Sequence, residues 1–436
     1  MNGRGLTISA ALLAVLGGLL WWSNRDKAKQ VSKPAADAPP KILTLTEGDI
    51  QKLDLKKKDG DAIVLKKNNS GKWEIVAPKP YTADQDAMNG LVSAAAAVTS
   101  DRLVDDKPSD LKQFGLDQPA LEVDITLKNG GTKKLFLGDD APGGGSTYAR
   151  LDGDPRVFTV ASFTRTSLMK EIKDLRDKRL LVFEQDKLSR IELTAKKSMI
   201  EFGRSKDEWQ ILKPRPLRAD GLQVEELVRK LKDAKMDLAA SDEDTSKAAA
   251  AFASGTPIAT VKVTDASGSQ ELQVRKKGDD YFAKSSTADG IFKAPADLGA
   301  GLDKSLDDFR NKKLFDFGFN EPSKIEIHDS GKTYAFQKAG DKWMSGGKEM
   351  DNISVQGLLD KLRDLAAAKF VETGFAAPTL DIAVSSNDGK RTEKIAIAQS
   401  IAKRENEATL YALDAKAVSD IQKAAGDVKP APPAKK

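Results

Sequence analysis

Apolar and polar positions alternate in short stretches that arrive in groups along this chain. Leu53 with Leu55 is followed by Ile63 with Leu65; Ile191 with Leu193 by Ile200 with Phe202; Ile325 with Ile327 by Tyr334 with Phe336. A period of two over a few residues predicts strands with one packed and one wet face. Turn-forming stretches such as "KDGD" and "DSGK" separate the members of each pair, which predicts antiparallel meanders. A Trp-bearing strand completes each group, and Trp73, Trp209 and Trp343 recur at spacings of 136 and 134 residues.

The period then changes. Met88, Leu91, Val92 and Ala95 fall at i, i+3, i+4 and i+7, as do Val224, Leu227, Val228 and Leu231, and Val355, Leu358, Leu359 and Leu362. Each set predicts a helix with one apolar stripe. Asp84, Asp220 and Asp351 stand four residues ahead of the stripes, where an Asp caps a helix by accepting its free backbone N–H groups. A second sheet segment follows each helix, opened by Pro119, Pro257 and Pro378, and it includes a strand carrying Tyr148, Tyr281 or Tyr411. The stretches "LRDKRLLVF" and "FRNKKLFDF" predict a closing helix for the first two groups, with Arg176 and Arg310 in matching positions.

The phrase "GKWEIVAPKPYTADQ" from Gly71 and its variant "DEWQILKPRPLRADG" from Asp207 are therefore marks of a repeated building block. The expected fold class is α+β: an N-terminal transmembrane helix followed by three tandem repeats of antiparallel β-meander plus helix. The expected boundaries are an anchor at 1–24, a Pro/Lys/Ala linker at 25–40, repeat units at 41–180 and 181–313, an abridged unit at 314–427, and a disordered tail at 428–436. Each unit is long enough to bury a core of its own.

The anchor rests on residues 5–22, a charge-free apolar run ending in Trp21 and Trp22. Its length approaches the ~20 residues that a membrane-crossing helix needs. "LLWWSNR" lacks the small residues of a leader-peptidase site, so the anchor is expected to stay attached. Lys and Arg are denser after the run than before it, which favours a cytoplasmic body by the positive-inside rule. A single anchor ahead of a large folded body argues the other way, and the body is expected to be periplasmic or extracytoplasmic, at a bacterial inner membrane.

Composition narrows the chemistry. The chain has 436 residues, 40% hydrophobic and 31% charged, with 70 Lys and Arg against 65 Asp and Glu, a net of +5. Basic residues are scattered among acids, so no nucleic-acid stripe is present and no nucleic-acid partner is expected. There is no Cys and one His, which excludes thiol chemistry and leaves little for a Ser-His-Asp triad or a multi-His zinc site. "HDSGKT" from His328 lacks the first Gly of a phosphate-binding loop, since Glu326 holds that place. "PGGGST" from Pro142 lies between strands with no helix to follow. His328 takes the strand phase opposite Ile325 and Ile327 and reads as a surface residue. The pairs Asp105-Asp106, Asp139-Asp140, Asp279-Asp280 and Asp307-Asp308 are adjacent in sequence and read as solvated. No catalytic, cofactor-binding or metal-binding residue and no cofactor is expected, and the protein is not expected to be an enzyme.

Four motifs of the first repeat carry a resemblance. They are the "FGLDQP" phrase ahead of a strand, "LFLGDD" before a Gly-rich loop, "TYARL", and the closing "LRDKRLL". They resemble the bacterial domain-of-unknown-function family numbered 4340, best over residues 42–183 and more weakly beyond. The resemblance implies a membrane-anchored accessory component, of the kind associated with ABC-transporter systems, and brings no catalytic residues. The expected function is a non-enzymatic accessory or scaffold of the cell envelope, with lipid contacting residues 5–22 and a membrane protein as partner. Two alternatives stay open: an extracytoplasmic glycan- or small-ligand-binding module, and a hydrolase built on carboxylates or a Ser/Lys pair.

Overall fold

The computed structural model describes residues 41–205, 208–238, 242–318 and 322–432. The expected anchor at 1–24 and linker at 25–40 lie outside the described residues, as do residues 433–436 of the tail. Among the described residues no helix is long and apolar enough to cross a membrane. The chain divides into two compact units, one ending at Lys178 and the other starting at Arg179. The first holds one repeat and the second holds two.

In the first unit β1 (Lys41–Thr44) pairs with β6 (Ala97–Thr99). The main sheet has β2 (Ile50–Lys57), β3 (Ile63–Lys67), β4 (Trp73–Ala77) and β5 (Tyr81–Thr82) on one side. On its other side are β8 (Leu121–Leu127), β9 (Thr132–Asp140), β10 (Ser146–Leu151), β11 (Val157–Ala161) and β7 (Arg102–Asp105). Its nine strands run in the order β5-β4-β3-β2-β8-β9-β10-β11-β7. Three helices accompany it: α1 (Gln85–Ala96), α2 (Ser162–Leu168) and α3 (Ile172–Leu175).

The second unit repeats the plan twice. Strands β12 (Arg190–Ala195), β13 (Ser198–Ser205), β14 (Glu208–Lys213) and β15 (Leu217–Arg218) join β16 (Thr256–Asp265), β17 (Gly268–Lys277), β18 (Asp280–Ser285) and β19 (Phe292–Ala294). Helices α4 (Gly221–Asp233), α5 (Asp242–Ser254), α6 (Ala296–Leu302) and α7 (Leu306–Phe309) belong to this repeat. The third repeat has β20 (Pro322–Asp329), β21 (Lys332–Ala339), β22 (Lys342–Ser345), β23 (Lys348–Met350), β24 (Lys369–Val371), β25 (Leu380–Ser386), β26 (Arg391–Ala398), β27 (Ile401–Arg404) and β28 (Leu410–Ala412). Its helices are α8 (Asn352–Asp364) and α9 (Ala415–Asp427). Its nine strands follow the order of the first repeat, β23-β22-β21-β20-β25-β26-β27-β28-β24, so the expected abridgement does not appear in the sheet.

The fold class needs correction. The protein is mostly β, 44% strand and 24% helix, in four sheets, where α+β repeats of a meander plus a helix were expected. The reason is one pairing. The first strand of each meander bonds to the first strand of the segment beyond the helix: Leu55 opposite Val123, Leu193 opposite Val261, Ile327 opposite Ile382. Two segments that alternate separately in sequence thereby fuse into one long sheet. Its apolar face is covered by the helix between them.

The apolar stripes face these sheets as their spacing predicts. The buried residues include Met88, Leu91, Val92 and Ala95 in α1, and Val355, Leu358, Leu359 and Leu362 in α8. Leu180, Leu181 and Phe183 pack into the second core, and Leu314, Phe315 and Phe317 into the third. The closing stretches are also corrected. The helical part, α3 or α7, ends before Arg176 or Arg310, and the Arg itself is extended and bridges to Ala83 or Ala219. In the third repeat the start of the tail takes this place. Pro430 bridges Met350, and Ala431 N–H donates to Glu349 O at 2.9 Å.

Candidate functional site

The residues singled out from sequence have structural partners close by. Trp73, Trp209 and Trp343 are core residues, 4%, 5% and 6% exposed. The Trp209 indole N–H donates to Glu225 at 2.7 Å. Asp84 and Asp220 each accept two backbone N–H groups from the first turn of their helices, and Asp351 accepts one. The N–H of each Asp also donates across to the closing segment, to Leu175 O (2.8 Å), Phe309 O (2.7 Å) and Lys429 O (2.9 Å). A single residue thus starts the helix and fastens the end of the repeat to it.

The acidic pairs are likewise engaged. Asp140 accepts from Thr147 (2.9 Å) and Arg165 (2.8 Å), Asp280 faces Lys293 (2.8 Å), and Asp308 closes a capping box with Ser305. Asp105 accepts the Lys107 N–H. The Gly143–Gly145 stretch turns between β9 and β10, with all three glycines at positive φ. Among the described residues no group of three or more His, Asp or Glu side chains is placed to hold a metal.

What the sequence reading missed lies on the outer sheet faces, away from the covering helices. In the first repeat the chain seals its own outer face. Phe114, Leu116 and Val157 are buried there with Phe136 and Tyr148 packed against them. The Phe114 and Tyr148 rings meet edge-on at 5.0 Å. Phe136 lies beneath two cations, Lys134 at 5.9 Å and Arg150 at 5.2 Å from the ring centre. In the second repeat α5 takes the place of the 106–120 segment. Phe252 is buried, with Arg275 over its ring at 4.8 Å and donating to its carbonyl at 3.2 Å.

The third repeat leaves this place open. Between β24 and β25 runs only the 372–379 segment, whose Phe375 is half-buried. Beside it lies a groove of about 510 Å3, lined by Glu326, His328, Phe375, Asp381, Ala396 and Lys403 among others. Strand register shows why. In the first repeat one row of cross-strand partners reads Lys56, Glu122, Phe136, Arg150. The corresponding row of the second reads Thr194, Thr260, Gln273, Lys284. That of the third reads His328, Asp381, Ala396, Lys403. The ring at Phe136 is thus replaced by the methyl of Ala396, while a cation stays next to it. His328 is exposed, as its strand phase predicts, and its Nδ1 lies 3.1 Å from Thr333 Oγ1. The sequence pattern places it on the wet face, but not in a row with Asp381 and Lys403.

Between the second and third repeats, within the one unit, lies a charged cluster. Arg218 contacts Asp316 at 2.5 Å and Glu407 at 3.0 Å, and donates to Lys313 O at 2.6 Å and to the Tyr411 hydroxyl at 3.0 Å. Tyr411 donates in turn to Glu407 at 2.6 Å. Burial, chiefly, pushes the Tyr411 hydroxyl up to about 12 from 10.0. The charges of Asp316 and Glu407, with Tyr411, keep Arg218 above its ordinary value in spite of its own burial. Arg310 stacks on Phe370, 3.5 Å from the ring centre. These ion pairs join the second repeat to the third.

The family described as domain of unknown function DUF4340 matches residues 73–212 and again 209–381. The chain belongs to this family. No curated protein and no solved structure matches it. The two DUF4340 matches start at Trp73 and Trp209 and end in the following repeat, so they are out of frame with the sheets. The phrases that carried the resemblance have a physical role in the first repeat. Gly115 ends the Lys112–Phe114 turn at φ 64°, a left-handed conformation suited to glycine. A Cβ at Gly138 would lie 2.1 Å from the Phe114 carbonyl oxygen. The "FGLD" and "LGDD" phrases are thus two sides of one close backbone approach that seals the outer face.

Proposed function

We propose that the protein is a non-catalytic accessory or scaffold of the bacterial cell envelope that acts by contact with a membrane-protein partner. The supporting observation is the open outer face of the third sheet, at the place where the first two repeats cover themselves. Its groove combines a small-residue floor, charged walls and an aromatic lip, a composition suited to recognition. The apolar run at residues 5–22 is its contact with lipid, and the body lies outside the cytoplasm. An ABC-transporter component is the partner that the family resemblance implies.

In-cell photo-crosslinking from a benzoylphenylalanine in place of Lys403 tests this reading. One membrane protein should be trapped at Lys403, and not from the same probe at Lys277. Trapping of lipid alone, or turnover of a substrate by the purified chain, refutes it. A second reading, a small-ligand module, is favoured by the groove volume, which falls within the ~300–1,000 Å3 typical of ligand pockets. A soluble metabolite co-purifying with the wild-type chain, and lost with Ala396→Phe, would select it.

A further inference from the structure

We infer that the groove of the third repeat takes an aromatic side chain presented by a short turn of a partner protein, seated on Ala396 between Lys394 and Lys403. This rests on the contact reading above and names the chemistry of the contact. The first repeat supplies the template. There the Phe136 ring lies under Lys134 and Arg150, with the Phe114-Gly115-Leu116 turn packed over the same face. Register carries each of these positions onto the third repeat. Lys134 stands opposite Asp124 and Lys394 opposite Ala383, with Asp54 and Glu326 as the next partners in the two rows. Arg150 stands opposite Phe136, and Lys403 opposite Ala396.

The two cations are kept and the ring between them is absent. Lys394 is steered by Glu405 at 3.1 Å, much as Lys134 is by Asp124 at 3.1 Å. A ring placed over Ala396 has Lys394 two residues along the same strand and Lys403 opposite on the next, as the Phe136 ring has Lys134 and Arg150, and cation–π attraction favours an aromatic occupant there. The shortened 372–379 segment leaves the entrance clear, and Gly374, at φ 104°, lies against Ile401 and keeps the chain low there: a Cβ on it would fall 2.6 Å from the Ile401 Cδ1. An aromatic residue on a short partner turn therefore supplies in trans both the ring that Phe136 gives in cis and the turn that residues 114–116 lay over it.

The test uses the full chain in detergent and a synthetic peptide of residues 109–119, the chain's own "SDLKQFGLDQP". His328 is the only His, so the labelled imidazole gives one resonance, located in the groove. The peptide should shift that resonance saturably. Its Phe114→Ala form should bind at least tenfold more weakly. In the protein, Ala396→Phe should abolish the shift by supplying the missing ring. Lys403→Glu, at an exposed site, should weaken binding without altering the melting temperature. Equal binding of the Phe114→Ala peptide, or an equal affinity for N-acetyl-phenylalanine amide alone, overturns the inference. An unmoved resonance at saturating peptide also overturns it. If a photo-crosslink from position 403 to a membrane protein persists in that case, the contact reading stands and only the occupant is wrong.

Discussion

Gly138 has no room for a side chain. A methyl group there meets the Phe114 carbonyl oxygen at 2.1 Å, and a backbone atom yields only by moving the whole turn. Gly138→Ala should therefore cost about 1–3 kcal/mol, the usual range for overpacking, and should loosen the Phe114–Tyr148 contact. Denaturant unfolding measures the first effect and Phe114 side-chain NMR the second; an unchanged midpoint would contradict the steric account. Tyr411 gives a pH signature. Its pKa is raised in the folded state, to about 12, so its neutral form is favoured by folding. That contribution is complete below pH ~10, the unfolded value, and is lost as pH rises toward 12. Ultraviolet titration should show a phenolate step near pH 12 that Tyr411→Phe removes. If Tyr411→Phe instead removes a step at pH ~10, the hydroxyl is not shielded by burial.

Among the elements, the helices are the parts most legible in sequence. The spacing of Val224, Leu227, Val228 and Leu231 fixes the buried face of α4, and Asp220 fixes its start. Asp220→Ala removes a cap and should cost about 1 kcal/mol, with Asp220→Asn retaining most of that stability. Chemical denaturation of both variants is the check, and equal losses would point to charge instead of capping. Trp209→Ala empties a core site and should cost about 3–5 kcal/mol, read as a clear fall in the melting temperature of the second unit. The closing stretches were less legible. Leu175 and Arg176 continue an apolar-and-charged pattern that suits a helix, yet Arg176 is extended because it bridges Ala83, with Leu175 O accepting the Asp84 N–H and the Asp177 N–H donating to Thr82 O. That pairing joins residues far apart in sequence, and no local pattern reports it.

For the whole molecule, the first unit owns a complete core, from Leu43 to Leu175. Residues 41–178 should therefore fold alone and melt cooperatively. A non-cooperative melt, or a flat near-ultraviolet dichroism spectrum, would contradict that. The second unit is joined across its two repeats by Arg218. Arg218→Met removes the cation shared by Asp316 and Glu407 and leaves Glu407 with Arg404 at 2.8 Å. It should cost about 1.5–3 kcal/mol, the range for hydrogen bonds to charged groups, moderated by the Arg391 and Arg404 charges that remain near Asp316. A double-mutant cycle with Glu407→Gln should show coupling, and strict additivity would argue that the two side chains act separately.

The sequence by itself determined the repeats, their strands, their helices and which residues point inward. These depend on period, and period is a local property of a chain whose strands have one wet and one dry face. It determined that the Asp residues are caps, because that role is set by neighbours within a few positions. Only the tertiary structure decided that the two segments of a repeat form one sheet, which turned an expected α+β protein into a mostly β one. Only it brought His328, Asp381, Ala396 and Lys403 into one row, since cross-strand register depends on pairing between distant segments. The groove likewise exists through a comparison that sequence alone does not make: the substitution of Ala396 for the ring of Phe136 acquires meaning once both residues are known to occupy the same place on equivalent sheets.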